Sequence, residues 1–214
     1  MISLLFHHQS YKDPQNKLLD AALHLYTGKG FRETSVLEVV ERARVSKTTF
    51  YHFFNSKEDL LVQLFQSLLE EVLQEVRRTA ELETHIAHKS FAGIRRYLEI
   101  CNDHRPVARL LLVSSAGLSS AVEEVRHKAH VEFAIFIYES VRVEIEQEGL
   151  VSDDQIHTAA QAMVGAINEV VIHKIIVENK KNIDELAHLL NHIAIGAFTM
   201  LAENQMSFKG GMRL

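Results

Sequence analysis

Arg42, Arg44, Lys47 and Lys57 are basic, and no Asp or Glu occurs anywhere from residue 42 to residue 57. Ser46, Thr48, Thr49, Tyr51 and His52 fall in the same window and add hydroxyl and imidazole groups. Cationic side chains interleaved with short hydrogen-bonding groups are suited to phosphate oxygens: charge supplies affinity, and hydroxyl and amide contacts fix the register. Phe50, Phe53 and Phe54 need an apolar surface beneath them. An acid-free run alone is not diagnostic, because residues 104–122 also lack Asp and Glu. Other chemistry is thinner. His127/His130 and His188/His192 have metal-compatible helical spacing, and Cys101 has His104 nearby. These are doublets, whereas a zinc or nickel site needs three or four convergent ligands, so no metal and no cofactor are expected. A lone Cys–His pair lacks the third, orienting group of a nucleophilic site, and no Gly-rich phosphate loop or nucleophile elbow occurs, so catalysis is not expected.

The basic window must be held by two short helices around a tight turn. Ser35 can cap the first, in which Val36, Val39, Val40 and Ala43 recur at helical spacing. Arg44-Val45 forms the turn, and Ser46 caps a second helix beginning SKTTFYHFF. That is the layout of a helix-turn-helix, whose second helix enters the major groove of DNA. Upstream, residues 1–12 read as a flexible arm. Asp13-Pro14 then provides an N-cap and a proline at the first helical position, with Leu18, Ala22, Leu25 and Tyr26 on one face and Gly28-Lys29-Gly30 at the end. Phe31 is expected in the core. Ser56-Lys57-Glu58-Asp59 resembles a capping box and opens a long helix ending near Arg77-Arg78.

Gly30-Phe31, Thr34-Ser35, Val45-Ser46-Lys47, Phe50-Tyr51, Phe54 and Ser56-Lys57-Glu58-Asp59-Leu60-Leu61 together resemble the DNA-binding domain of TetR-family transcriptional regulators. The resemblance runs from about residue 17 to residue 65. It implies a recognition helix over residues 46–53. Ser46, Lys47, Thr48 and Thr49 would approach base edges and the nearest phosphates. Tyr51 and His52 would reach backbone phosphates, and Lys57 would clamp another. Thr34 or Ser35 would present a helix N-terminus to the DNA backbone. Two departures stand out. Arg44 replaces the family's usual turn glycine, where a left-handed backbone costs a non-glycine residue about 1–2 kcal/mol, and this suggests an extra phosphate contact. Thr48 replaces a frequent glycine and suggests an operator of its own.

The rest reads as helical. Only 2 Pro and 9 Gly punctuate 214 residues that are 47% hydrophobic, and no strand-like alternation is sustained. Helical stretches are expected over 90–102, 106–114, 120–147, 152–179 and 182–202, with a loose tail over 209–214. The fold class is therefore all-α: a three-helix head (domain 1–58, including the arm) joined by a long helix to a helical body (domain 59–214). Net charge is -5, but residues 1–60 carry 8 Lys+Arg against 7 Asp+Glu and the remainder 15 against 21, so the acidity resides in the body. A single cysteine excludes an internal disulfide and favours a reducing compartment. The N-terminal stretch does not read as a signal peptide. No apolar run is expected to reach membrane-spanning length, so a cytoplasmic protein without membrane contact is expected.

Two sites are expected in the body. Phe91, Arg95, Leu98, Leu112, Phe133, Phe136, Ile137 and Met163, with the polar Asn168 and His173, could line a cavity for a small hydrophobic effector. Glu169 and His173, at i and i+4 in an apolar run, can pair within such a cavity or at a subunit seam. Small residues on the last two helices permit close approach. The resemblance implies a homodimer through them, with Gly165, Ile167, Val171, Leu190, Ile193 and Ala197 at the interface, and a double-stranded, palindromic DNA operator whose half-sites match the two heads. The function implied is a ligand-responsive regulator, more often a repressor in type. The rival reading is a dimeric small-molecule-binding protein with weak or lost operator recognition.

Overall fold

The structure, a computed structural model, describes residues 3–6, 11–146, 151–179 and 182–210, with side chains excepted at 143–146 and 203–210. Among the described residues it is built from helices without strands. Helix α1 (Pro14–Gly28) starts where Asp13 accepts a 3.1 Å hydrogen bond from the Asn16 amide, with proline at the first helical position. It ends at Gly28, and Gly30 follows with φ of 98°, a conformation that favours glycine. Helix α2 (Val36–Ala43) carries a complete capping box between Ser35 and Glu38. Arg44 closes it in the left-handed region (φ 55°, ψ 46°), and the Val45 amide reaches back 3.0 Å to the Val40 carbonyl. This Schellman-type return puts Arg where glycine is least strained, at the expected penalty of about 1–2 kcal/mol. Helix α3 (Lys47–Phe53) is capped by Ser46.

Helix α4 (Lys57–Ala80) begins with Ser56 accepting from the Asp59 amide at 3.0 Å. Only half of the expected box forms, because the Asp59 carboxylate turns to the Asn55 amide at 2.8 Å and to its side chain. Leu18, Ala22, Val39, Phe50, Phe54, Leu60, Leu61, Leu64 and Phe65 are all buried. Phe31 is only half-buried: its ring lies edge-on to Tyr26 and beneath the Lys57 ammonium.

Further along are α5 (Ile86–Asp103), α6 (Arg105–Arg109) continuing as a π-helical segment (Leu110–Ser114), and α7 (Ser120–Glu146). Then come α8 (Asp153–Val170), which continues as a π-helical segment (Val171–Val177), and α9 (Ile183–Gly210). Each expected helix is thus present, with longer α5 and α9. Residues 209 and 210 of the expected loose tail are helical, and 211–214 lie outside the described residues.

Two compact units emerge, residues 1–72 with 103–127, and residues 73–102 with 128–214. In the first, α6 packs on α1. Residues 3–6 there are not the free arm expected for 1–12. Glu71 is 7% exposed and accepts hydrogen bonds from the Leu4 amide (2.6 Å), the Leu5 amide (3.1 Å) and the Ser3 hydroxyl (3.0 Å). A buried carboxylate needs such donors, and Leu4 and Leu5 are buried beside it. Residues 1, 2 and 7–10 of that arm lie outside the described residues.

In the second unit, Ala134, Tyr138 and Val141 of α7 form a core with Ile156, Ala160 and Val164 of α8 and Phe198 of α9. The Arg96 guanidinium meets Glu75 at 2.8 Å, and Arg77 meets Glu139 at 3.3 Å. Segments Asp153–Val177 and Ile183–Ala202 are long and apolar enough to cross a membrane by length and composition, contrary to expectation. The apolar run had been interrupted at Asn168, Glu169 and His173, but so few polar groups leave the average apolar.

Candidate nucleic-acid interface

One face of α3 is core and the other is open. Phe50 is fully buried and holds the Tyr51 ring edge-on at 5.1 Å, while Phe53 holds the His52 ring at 4.9 Å. The two polar side chains are thereby braced by aromatic neighbours yet remain exposed, Tyr51 at 59%. Lys47 and Thr48 are exposed on the first turn, and Arg44 is exposed on the turn before it. Among the described residues, no side-chain hydrogen bond or ion pair within the chain occupies Arg44, Lys47, Thr48, Tyr51 or His52. Such donors are unsatisfied by protein and available to phosphate oxygens and base edges.

The remaining expected contacts sort differently. Ser46 and Thr49 are tied together, hydroxyl to hydroxyl at 2.8 Å, while Ser46 also accepts from the Thr49 amide at 3.0 Å. Their first task is to cap α3. Thr34 is 2% exposed and donates its hydroxyl to the Gly30 carbonyl at 2.7 Å, so it is a loop brace and not a DNA-facing group. Ser35 is exposed but bonded to Glu38, whose carboxylate occupies the α2 N-terminus where a phosphate was expected. A hydrogen bond from Lys29, helped by the Ser35 amide and hydroxyl, holds the Glu38 carboxyl down at about 2. An anion there repels a second one. Lys57 is held by backbone carbonyls of the α1–α2 loop, so its expected role as a free phosphate clamp is not what the geometry provides. Arg42, named in the acid-free window but not among the expected DNA contacts, is exposed in the last turn of α2 beside them.

In the second unit the expected effector residues do not form one group. Arg95 is exposed and paired with Asp184 (2.6 Å) and Glu99 (3.0 Å). His173 is exposed and paired with Glu169 at 2.9 Å, so that pairing forms on the surface and not in a cavity. Phe136 lies under the Arg77 guanidinium at 4.9 Å, and Leu112 belongs to the first unit. Phe91 stacks on His188 at 4.4 Å. Leu98 and Met163 are buried, and Ile137 packs on the α7–α8 core. The group that does assemble centres on Tyr97, which sequence reasoning missed. Its hydroxyl donates to Asn168 at 2.7 Å, and its ring meets Phe133 at 5.6 Å. Burial raises the Tyr97 hydroxyl well above its usual range and pushes the Cys101 thiol, within hydrogen-bonding reach of it, up to about 12. A thiol so protonated is no nucleophile. The Tyr97–Cys101 spacing is visible in sequence; Asn168, 71 residues away, is not.

The expected dimer residues also divide. Ile167, Val171 and Leu190 are buried within the chain and so are not presented to a partner. Gly165 is half-buried, near the His130 ring. Ile193 and Ala197 do face outward, in a stripe with Leu189, Gly196 and Met200 on α9. Ala162, Ala166, Glu169, His173 and Val177 form the exposed stripe of α8 and its continuation.

Comparison with known proteins agrees with this geometry. Residues 18–64 match the model of bacterial regulatory proteins, tetR family, a span that runs from α1 into α4. The HTH-type transcriptional regulator YhgD of Bacillus subtilis is 27% identical over 132 residues, covering 62% of this chain and 68% of that protein. The fatty acid metabolism regulator protein of Bacillus subtilis is 22% identical over 176 residues, covering 80% and 89%. In structure, the chain is similar to FadR from Bacillus subtilis solved in complex with stearoyl-CoA. The TM-score is 0.74 at 15% identity, covering 85% of this chain and 98% of that one, a likeness of fold. An open face of α3 on a three-helix head, the family match over residues 18–64 and relatives that are transcriptional regulators lead to one conclusion: residues 18–64 are a tetR-family DNA-binding domain, and the chain is a DNA-binding transcriptional regulator.

Proposed function

We propose that the protein is a homodimeric repressor that reads an inverted-repeat operator in the cytoplasm and changes its DNA affinity when a small hydrophobic effector binds the second unit. The observation that carries the reading is the outward face of α3, where, among the described residues, Lys47, Thr48, Tyr51 and His52 have no side-chain hydrogen bond or ion pair. Lys47 and Thr48 are the base-reading candidates, and Arg44, Tyr51 and His52, with Arg42, the phosphate-holding ones. Homodimerisation is supported by the exposed apolar side chains of α9, Leu189, Ile193 and Met200, and of Val177 after α8. A symmetric partner covers such stripes, and a pair of heads suits a palindrome.

The effector reading rests on Tyr97 and Asn168, a hydrogen-bonded pair beside Phe133. Likeness to a FadR solved with stearoyl-CoA makes a long-chain acyl-CoA the first effector to test. Helix α4 is continuous through residues of both units, and is the element through which an effector can alter the heads. The effector must bind one head arrangement more tightly than the other; equal affinity shifts nothing.

Selection from a random duplex pool at low and moderate salt tests the reading. Enrichment of an inverted repeat, released on adding acyl-CoA, is the expected result. Enrichment without release by any acyl-CoA removes that effector class. No enrichment from a folded dimer favours the rival reading of a ligand-binding protein without operator recognition.

A further inference from the structure

Lys57 opens α4, yet its ammonium is directed into the loop before α2. Its Nζ lies 2.8 Å from the Phe31 carbonyl, 2.7 Å from that of Thr34 and 3.5 Å from that of Arg32. It also sits 4.3 Å from the centroid of the Phe31 ring. An ammonium has three N–H donors, and here three carbonyls and an aromatic face surround it. A phosphate would have to compete with those carbonyls for the three N–H donors. Desolvation lowers the Lys57 pKa, with Glu33 and Glu38 opposing, which agrees with a group turned inward. The same loop is closed from its other side by the Thr34 hydroxyl on the Gly30 carbonyl, at 2.7 Å. It then delivers Ser35 to the N-cap of α2, and α2 leads through the Arg44 turn to α3.

We propose that Lys57 is a positioning residue of the DNA-reading head: its ammonium closes the 31–34 loop and fixes the entry of α2, and through α2 the placement of α3, instead of neutralising a phosphate. This assigns a structural cation at a position where the sequence suggested a DNA contact. It leaves Arg42, Arg44 and Lys47 as the phosphate-neutralising charges of the window. The inference has one part independent of DNA and one part that rests on the DNA-binding reading.

The test uses the full chain as Lys57→Met and Lys57→Arg. Without DNA, amide hydrogen exchange is followed at Thr34 and Val39, whose amides bond to Phe31 and Ser35, against Leu64 as a reference inside α4. Both variants are expected to speed exchange at Thr34 and Val39, Lys57→Met by about tenfold, with Leu64 unchanged, because the planar guanidinium cannot take the ammonium's place among three carbonyls. Exchange at parental rates in both variants overturns the proposal. The second arm measures binding to a random-sequence 30-bp duplex, and to any duplex enriched from the pool, across a salt series.

Lys57→Met is expected to keep the slope of log affinity against log salt and to bind the random duplex within about twofold of the parent, while losing about tenfold or more on the enriched duplex. A slope reduced by about 0.9, with every duplex weakened alike and Lys57→Arg restoring both, identifies a phosphate ligand and overturns the proposal. If Lys57→Met does not fold, Lys57→Arg decides alone. It keeps the charge, so parental exchange together with parental specificity refutes positioning, whereas loss of both at constant slope supports it. Should the parent bind no duplex, the DNA-binding reading fails, and exchange still decides the role of the ammonium.

Discussion

The outward face of α3 and the outward faces of α8 and α9 are both incomplete within a single chain, in opposite chemical senses. On α3 the exposed groups are polar or cationic: Lys47, Thr48, the Tyr51 hydroxyl and the His52 ring, braced from below by Phe50 and Phe53. On α8 and α9 they include a larger apolar share, with Leu189, Ile193 and Met200 about half exposed and Val177 at 64%, beside the Glu169–His173 pair. Donors without acceptors call for a hydrated, negatively charged partner, and apolar stripes call for another apolar stripe. The contrast teaches that exposure alone does not name a partner; the chemistry of what is left exposed does.

The largest effect should come from breaking the support beneath the first face. Phe50→Ala removes a fully buried ring and should destabilise the head by about 3–5 kcal/mol, read as a lowered denaturant midpoint with loss of DNA binding. The second face breaks with Ile193→Glu. A charge buried without a partner in the proposed dimer seam should weaken association by about 3 kcal/mol, seen as a shift toward monomer relative to the parent in sedimentation velocity. A variant that stays fully dimeric would refute the outward stripe as the seam.

Smaller effects sharpen the comparison. Tyr51→Ala with His52→Ala should cost about 2 kcal/mol of affinity on every duplex alike, because phosphate contacts carry no sequence information, with thermal stability nearly unchanged. Parental affinity in that double variant would remove both residues from the phosphate set. Arg44→Gly relieves the left-handed strain, partly offset by glycine's greater freedom when unfolded, for a net gain in stability of about 0.5–1 kcal/mol. If Arg44 touches phosphate, the same variant loses about 0.9 from the salt slope. The least effect concerns Glu38. Its carboxyl is lowered from 4.5 to about 2 in the folded state, so its contribution is complete above pH 4.5 and is lost as pH falls through about 2. Glu38→Gln should therefore be less stable than the parent at pH 6, and the gap in urea midpoint should close as the pH approaches 2.

Legibility in the sequence followed the range of the interactions. Ser35, Ser46 and Ser56 were readable as caps because each bonds to an amide three residues on. Arg44 was readable as a strained turn because its conformation is set by the adjoining helix ends. The inward contacts of Lys57 were not legible because its carbonyl partners lie 23 to 26 residues upstream, in a loop whose path depends on how α1, α2 and α4 pack. The burial of Glu71 could not be read from its helix, because its partners are residues 3–5, nearly the length of a domain away in sequence. Tyr97 was passed over for the same reason, since Asn168 comes to it only through the packing of the second unit.

The sequence by itself determined the helices, their caps, the helix-turn-helix and the family resemblance of the head, because these rest on i to i+4 spacing and on motifs with fixed intervals. Only the tertiary structure decided which side of each helix is spent on the chain's own core. That choice buried Ile167, Val171 and Leu190, exposed Ile193 and Ala197, turned Lys57 inward and left Tyr51 and His52 outside. Periodicity marks an apolar face, but a helix flanked on two sides has two such faces. Which one meets its own chain and which one a partner is settled by long-range packing, where each buried group must find its complement.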